Sequence, residues 1–329
     1  MNQARYDVVG IGNAIVDVLS AVEESFIEQE SLAKGSMTLI DDTRAESLYA
    51  VMDDRREVSG GSAANTMVGL AELGGSAAFI GKVRDDSLGD SFRDGLTTAG
   101  VDFVTAESTS GPPTAQCLIL VTPDAQRTMN TYLGASIHIG PDDVDHQVIR
   151  DSKVTYLEGY LWDMPPAKDA FLRAAEIAHE ADRQVALTLS DGFCVDRHRD
   201  SFLELVEGHI DILFANEVEI LSLYQVDRFD EALQAVRGHC QVAALTRSEK
   251  GAVVMAGDEI HVVDAVPVES VIDTTGAGDL FAAGFLYGHT QGLNLEESGR
   301  LGALVAAEII SHYGARPESN LKAMATGLS

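Results

Sequence analysis

A short run of small residues precedes an acid and a predicted helix in the last fifth of the chain. Residues 273–285 read Asp-Thr-Thr-Gly-Ala-Gly-Asp-Leu-Phe-Ala-Ala-Gly-Phe. Gly276, Ala277 and Gly278 allow a phosphate to approach the backbone closely, and the unpaired N–H groups at a helix N-terminus favour an anion. Asp279 follows in the first helical turn, where a carboxylate can accept the proton of a hydroxyl that attacks phosphorus. The pattern indicates phosphoryl transfer, although a capped helix start would explain a lone Gly-x-Gly-Asp equally well.

The composition restricts the other functions that the chain could have. Its 329 residues include 52 Asp and Glu but only 23 Lys and Arg, which gives a formal net charge of −29. This balance argues against nucleic acids and anionic membranes as partners, because both need a basic surface. The hydrophobic content of 45% is typical of a folded globular protein. No apolar run approaches the roughly 20 residues that span a bilayer.

The two remaining compositional clues concern the cellular compartment. Residues 1–7 are polar and lead directly into a predicted strand, so we expect no signal peptide. Cys117, Cys194 and Cys240 have no CxxC spacing and lie in or beside apolar segments. Free thiols in a reducing compartment are the expected state, and a cytoplasmic protein is predicted.

The elements around these residues alternate between apolar strands and helices. Strands that are apolar almost throughout indicate a parallel sheet covered by helices on both faces. Predicted strands cover 6–12, 77–83, 154–161, 185–189, 210–215 and 242–246, followed by a hairpin over 252–265. Predicted helices cover 62–73, 87–99, 167–181, 201–206, 217–223, 231–236, a segment from 279 onward and a last helix over 295–312.

Two segments lack this alternation and are rich in strands. They span 15–49 and 112–137, and the second contains a hairpin that turns at residues 122–125. We expect them to form a small second sheet packed over the main one. The predicted division is a large α/β domain from 1–14, 50–111 and 138–329, and a discontinuous small domain from 15–49 and 112–137.

Polar residues beside two of these elements could bind a substrate. Gly61 and Asn65 lie in Gly-Gly-Ser-Ala-Ala-Asn-Thr, where a glycine pair opens a predicted helix; ordinary capping explains this pattern equally well. Asn13 and Asp17 follow the first strand. A buried Asp needs hydrogen-bond donors, and the neighbouring hydroxyls of a ribose would supply them, whereas a strand-end Asp that faces water would not need any.

Taken together and in order, these motifs resemble those of the PfkB, or ribokinase-like, family of carbohydrate and nucleoside kinases, over essentially the full length. The resemblance implies a ribokinase-like α/β fold whose small sheet forms a lid over the sugar. It implies ATP as phosphoryl donor with Mg²⁺. It also implies that Asp279 is the catalytic base and that the Gly276-Ala277-Gly278 backbone forms the anion hole.

The resemblance also assigns substrate-binding roles. Gly61 and Asn65 would contact substrate hydroxyls, and Asn13 with Asp17 is similar to the ribose-binding residues of adenosine-kinase-like members. Ribokinases proper usually have Ser where Asn13 stands, which favours a nucleoside. Arg127 matches a lid arginine that approaches the transferred phosphate. The residues that align roughly with the base pocket are Met37, Leu39, Cys117, Leu133, Ala135 and Tyr160.

The predicted ATP side of the site has two further motifs. Asn216 and Glu219 match the family's Asn-x-x-Glu, which organises Mg²⁺ and phosphate largely through water. Thr246, Ser248 and Gly251 lie where the family usually has Thr-x-Gly-x-x-Gly. Because Ser248 replaces the middle glycine, the geometry of this loop stays open.

Asp273 and Thr275 correspond to a monovalent-cation site of some relatives, so K⁺ is a further candidate ligand.

The expected activity is ATP-dependent phosphorylation of the 5′-hydroxyl of a purine nucleoside, and adenosine is the first candidate. A sugar kinase acting on ribose or fructose and a non-catalytic nucleoside sensor are the alternatives. A dinucleotide-binding dehydrogenase is disfavoured, because Ile15 stands where the third glycine of that fingerprint belongs. The sequence does not distinguish a monomer from a homodimer.

Overall fold

The computed structural model describes residues 4–124 and 126–327. In chain order the strands are β1 (Tyr6–Ile11), β2 (Ile15–Ala21), β3 (Met37–Leu39), β4 (Arg56–Gly60), β5 (Ala77–Ile80), β6 (Val101–Phe103), β7 (Ala115–Val121), β8 (Arg127–Tyr132), β9 (Ser152–Glu158), β10 (Gln184–Thr188), β11 (Ile212–Asn216), β12 (Val242–Thr246), β13 (Ala252–Ala256) and β14 (Glu259–Val263). Among the described residues, none of the helices combines the length and apolar character that crossing a membrane requires.

The helices account for most of the remaining chain. They are α1 (Glu24–Gln29), α2 (Asp42–Val51), α3 (Ser62–Leu73), α4 (Ser87–Thr98), α5 (His146–Arg150), α6 (Pro165–Glu180), α7 (Gly192–His209), α8 (Glu217–Tyr224), α9 (Phe229–Val236), α10 (Ala277–Thr290), α11 (Leu295–Ile309) and α12 (Leu321–Thr326). Capping boxes open α8 at Asn216 and α11 at Asn294.

The larger sheet has nine strands in the order β14-β13-β12-β11-β10-β9-β1-β5-β6. Its strands are parallel from β12 to β6, and β13 and β14 continue it antiparallel. Successive residues of one strand enter different apolar cores: Val8 packs in the core that contains α3, α10 and α11, and Val9 packs in the core with α6 and α7. The sheet is therefore covered on both faces, as the apolar strands predicted.

The second sheet has five strands in the order β3-β8-β7-β2-β4. One face, which includes Val16, Val18 and Leu118, packs in the same core as Leu48 of α2. The pairing register places the side chains of the opposite face in rows across the sheet. In one row Asp17 of β2 lies beside Cys117 of β7, and Leu39 of β3 lies at the far end of the same row. The second face is the one that carries the predicted substrate residues.

Several predictions about elements need correction. Strand β4 was not predicted and belongs to the second sheet, although residues 50–111 were assigned to the large domain; the division into domains itself stays a prediction. Helix α7 is longer than the predicted 201–206, because Asp191 caps it by accepting from the Cys194 N–H. The predicted last helix ends at Ile309, and α12 follows it. Of the predicted turn at 122–125, Ala125 lies outside the described residues.

Small residues let the helix that follows the glycine turn pack closely against its neighbour. A Cβ on Gly284 of α10 would lie 2.8 Å from the Gly302 Cα of α11 and 2.8 Å from the Leu301 carbonyl oxygen. Contacts this short are possible only without a side chain. This packing fixes α10, and with it the position of the residues at its N-terminus.

Candidate active site

The carboxylate of Asp279 joins the N-termini of two helices. Ser62 Oγ donates to Asp279 Oδ1 at 2.6 Å, and Asn65 Nδ2 donates to Oδ2 at 3.0 Å. Ser62 and Asn65 lie in the first turn of α3, whereas Asp279 lies in the first turn of α10. Burial raises the pKa of Asp279, while these hydrogen bonds and the charge of Arg316 act in the opposite direction. The result is an oriented carboxylate that is a better base than an exposed aspartate.

The glycine turn before Asp279 leaves donors unpaired. Gly276 has φ of +80°, a left-handed conformation that glycine adopts without strain. The Ala277 N–H bonds to the Thr274 carbonyl oxygen at 3.2 Å, but within the described part of the chain no acceptor meets the N–H groups of Gly278 and Asp279. Two free amides and the helix dipole therefore fit the predicted anion-binding position beside the carboxylate, which stays a prediction.

A buried acid that sequence analysis missed organises the opposite side of the site. Glu158, at the carboxyl end of β9, is 1% exposed and accepts from the Asn13 Nδ2 at 2.7 Å and the Ala63 N–H at 2.8 Å. Asn13 Oδ1 in turn accepts from Ser136 Oγ. Asn13, predicted to contact a ribose, is thus engaged by protein groups, and its contact with a substrate stays a prediction. Gly61 also has φ of +93°, and a Cβ there would lie 2.2 Å from the Asn13 carbonyl oxygen.

Asp17 lies half-buried on the open face of the second sheet. Its carboxylate forms no hydrogen bond with the described residues. Burial raises its pKa to about 6, although the charges of Arg316 and Arg127 lower it. An acid in this condition needs donors from outside the protein, and the hydroxyls of a bound substrate would meet that need.

The remaining predicted base-pocket residues fall into two groups. Met37, Leu39 and Cys117 share the open face with Asp17, and Met37 and Leu39 are 52% and 59% exposed. Burial raises the pKa of the Cys117 thiol to about 12, so the thiol is neutral. The other three are not on that sheet: Leu133 and Ala135 lie in the turn after β8, and Tyr160 lies in the turn after β9.

Trp162, the one tryptophan of the sequence, lies in the hydrophobic core. Its ring is 3% exposed, packs against Phe171 and Phe202 and donates through Nε1 to Ser201 Oγ. It therefore does not wall the site.

The predicted ATP loop follows β12, next to the end of β11. Asn216 and Thr246 are paired neighbours at the ends of these strands. Ser248 adopts φ of +52°, the left-handed conformation that the usual glycine would take, and Gly251 has φ of +79°. The serine therefore keeps a glycine-like backbone, at a cost of about 1–2 kcal/mol in strain.

Asn216 and Glu219 form a reciprocal pair. Glu219 accepts from the Asn216 N–H at 2.9 Å and from its Nδ2 at 2.5 Å, and it is 4% exposed. Burial raises the pKa of Glu219 to about 7. Each carboxylate oxygen keeps a lone pair that could accept from water, so the pair fits an indirect contact with Mg²⁺.

Arg127 of the second sheet is bound to the loop that precedes the glycine turn. Its Nη1 forms an ion pair with Asp273 Oδ2, and its buried Nε has no partner among the described residues. Asp273 also accepts from the Gly314 N–H and twice from Thr275. These bonds use all four lone-pair positions of the Asp273 carboxylate, so a monovalent cation would have to displace one of these donors, and the cation site at Asp273 and Thr275 stays a prediction.

Comparison with known proteins decides the family. The model of the pfkB family carbohydrate kinases matches residues 30–322. The chain belongs to the PfkB family. Kinases of this family use ATP as phosphoryl donor and transfer its phosphoryl group to an alcohol. The predicted ribokinase-like fold and the predicted kinase activity are confirmed.

Solved structures and curated relatives place the chain near two kinds of PfkB kinase. The crystal structure of adenosine kinase from Sinorhizobium meliloti is 51% identical, with a TM-score of 0.90 over 99% of this chain and 100% of that one. That of a probable sugar kinase from Rhizobium etli is 50% identical, with a TM-score of 0.91 over the same shares. Adenosine kinase from Saccharomyces cerevisiae is 26% identical over 93% of this chain and 95% of its own length.

Sequence reasoning missed three side chains of the site: Ser62, Glu158 and Arg316. Ser62 lies in the Gly-Gly-Ser-Ala-Ala-Asn-Thr motif, but the motif predicted roles only for Gly61 and Asn65. Glu158 is an acid at the end of an apolar strand, the same signal that drew attention to Asp17, and could have been found. Arg316 lies in a segment with no recognisable pattern, so only the fold places it here.

The buried Glu158 predicts an unusual dependence of stability on pH. Burial is the main cause that raises its pKa from 4.5 to about 7, so the folded state binds this proton more tightly than the unfolded state. Its contribution to stability is full below pH 4.5 and is lost as the pH rises toward about 7. We expect Glu158→Gln, measured by urea unfolding, to lose less stability relative to wild type at pH 7.5 than at pH 5.

The same substitution at Glu180, whose side chain is 58% exposed, controls for the loss of one formal charge. A stability difference between Glu158→Gln and wild type that stays constant across this range would contradict the burial of an ionisable carboxyl at this position.

Proposed function

We propose that the protein is an adenosine kinase that transfers the γ-phosphoryl group of ATP to the 5′-hydroxyl of adenosine. The observation that carries the reaction type is the position of Asp279: its carboxylate is held by Ser62 and Asn65 beside the free amides of Gly278 and itself. The base and the anion position thus lie within the same helix turn. This is the arrangement that an in-line attack of a hydroxyl on a phosphate requires.

In the proposed mechanism Asp279 accepts the proton of the 5′-hydroxyl as the oxygen attacks phosphorus. The N–H groups of Gly278 and Asp279 stabilise the charge on the transferred group. Asn216 and Glu219 would hold Mg²⁺ through water, and the bound ion would supply positive charge against the phosphates of ATP. Arg127 is close enough to this loop to add a cation, because it already bonds Asp273, and its unpaired Nε is an available donor.

The substrate assignment rests on the open face of the second sheet. Asp17 lacks donors there, and a ribose with neighbouring hydroxyls would supply them. Beyond Asp17 the same face continues with the partly exposed Leu19 and Met129, and then with the exposed Met37. A free pentose would leave this apolar surface uncovered, whereas a purine would bury it, which is favourable by about 25 cal/mol per Å².

A sugar kinase of the same family is the second candidate. The neighbours named above differ in this respect, one being an adenosine kinase and the other a probable sugar kinase at nearly the same identity. The intact base argues against the third candidate, a nucleoside sensor, since a pure binding protein gains nothing from a carboxylate beside the phosphate.

We place the protein in the cytoplasm, which suits its three free thiols.

Loss of the proposed base should remove most of the activity. Asp279→Asn removes the proton acceptor but preserves size and at least one hydrogen bond to α3. We expect kcat to fall by about 10²- to 10⁴-fold, while calorimetric binding of adenosine and the melting temperature stay near wild type. Asp258→Asn, in the exposed turn between β13 and β14, is the matched control. Near-wild-type turnover of Asp279→Asn would rule out the mechanism.

The identity of the phosphoryl acceptor can be tested by comparing substrates. In an assay of ADP release over a panel of nucleosides and sugars, we expect adenosine to give the highest kcat/KM. Met37→Ala and Leu39→Ala should each raise KM for adenosine by about tenfold through lost apolar contact, and should leave any weak turnover of ribose unchanged. Because both side chains are more than half exposed, neither change should unfold the protein. Dominant turnover of a free sugar, insensitive to both substitutions, would establish the sugar-kinase alternative.

A further inference from the structure

The guanidinium of Arg316 joins the second sheet to the start of α3. Its Nε donates to the Ser59 carbonyl oxygen at 3.1 Å, and Nη2 donates to the same oxygen and to Ser59 Oγ. Its Nη1 donates to the Ala64 carbonyl oxygen at 3.5 Å. Ser59 is the penultimate residue of β4 and Ala64 lies in the first turn of α3, so one side chain spans the backbone on both sides of Gly61.

The turn that carries Arg316 also contacts the anion-binding loop. The Gly314 N–H donates to Asp273 Oδ2 at 2.9 Å. Ala315 packs so closely on the glycine turn that a Cβ on Gly276 would lie 2.8 Å from the Ala315 Cβ. Residues 314–316 therefore touch the loop before α10 and the passage into α3, the two places that position the base.

Arg316 also faces carboxylates from three other elements. These are Asp17 of β2, Glu72 of α3 and Asp279 of α10. Burial lowers the pKa of Arg316 to about 10, and the three acids oppose this effect, so the side chain is a cation at neutral pH. Its charge in turn lowers the pKa of both Asp17 and Asp279.

Few other charges can do the same. Besides Arg316, Asp17 is faced by Arg127, Cys117 and Asp279. Asp279 is faced by Ser62, Asn65, Tyr156, Glu158 and Tyr160. Of these groups only Arg127 is cationic, and it is paired with Asp273. Arg316 is thus the cation that both carboxylates share.

We propose that Arg316 is a positioning residue for phosphoryl transfer. It holds the end of β4 and the start of α3 in register, and its charge keeps Asp17 and Asp279 ionised together in a partly dry site. This inference rests on the proposed roles of the two acids, of which Asp17 holds the acceptor and Asp279 takes its proton. Arg316 thus has an electrostatic role besides its positioning role, because Asp279 can accept a proton only while it is ionised.

Two substitutions separate the charge from the geometry. Arg316→Met removes the charge, so the pKa of the base should rise and the acid limb of kcat should move to higher pH, with a tenfold loss of rate for each unit of displacement on that limb. Arg316→Lys keeps a charge but cannot bridge Ser59 and Ala64, because lysine lacks the planar fork. Its acid limb should stay near wild type, with kcat/KM lowered equally at every pH.

Arg55→Met is the matched control. Arg55 also holds backbone carbonyl oxygens, those of Tyr49 and Met52, but none of the site's carboxylates is among its contacts. We expect its pH profile and kcat/KM to match wild type. Melting temperatures of all variants identify any loss of rate that comes from unfolding.

The decisive readout is the pH profile of kcat on the acceptor that wild type uses best. A displaced acid limb for Arg316→Met that Arg316→Lys restores supports the proposal. Unchanged profiles for both variants, with or without a uniform loss of rate, would overturn it. A wild-type preference for a free sugar would refute the adenosine assignment alone, because the comparison of pH profiles remains valid with any acceptor.

Discussion

The site holds several carboxylates close together with little water around them, which opposes their ionisation. Burial raises the pKa of Asp17, Glu158 and Asp279, and each of the first two is raised further by the charge of Asp279. Hydrogen bonds and one shared arginine offset this cost. Glu158 receives backbone and amide donors, Asp279 receives Ser62 and Asn65, and Arg316 faces Asp17 and Asp279. The donors come from distant parts of the chain, so only the folded chain brings them together.

The same constraint shapes how a phosphate can be bound. With a net charge of −29, the chain repels anions at long range, and attraction must come from local groups. The two free amides at the start of α10 supply one such group, and none of the surrounding acids accepts a hydrogen bond from them. Arg127, paired with Asp273, supplies a cation from the second sheet. Both groups thus lie at the loop that precedes α10.

Much of the fold could be predicted from the sequence because its signals are local. Helix α3 begins and ends where its glycine pairs predict, and the apolar strands of the larger sheet predict its parallel pairing. The misses have long-range causes. Strand β4 has an ordinary polar sequence and is defined by pairing with β2, and the contacts of Asp279 with Ser62 and Asn65 join residues 217 and 214 positions apart. Glu158 and Arg316 likewise acquire their roles only when β9 and the C-terminal segment reach the same site.

The proposed mechanism can be tested by a crystal structure of the wild-type protein with adenosine, Mg²⁺ and a non-hydrolysable ATP analogue. We expect the 5′-hydroxyl oxygen to lie about 2.6–3.2 Å from the Asp279 carboxylate. We also expect the γ-phosphate to accept hydrogen bonds from the N–H groups of Gly278 and Asp279. A 5′-hydroxyl hydrogen-bonded to another acceptor, or a γ-phosphate held away from this turn, would contradict it.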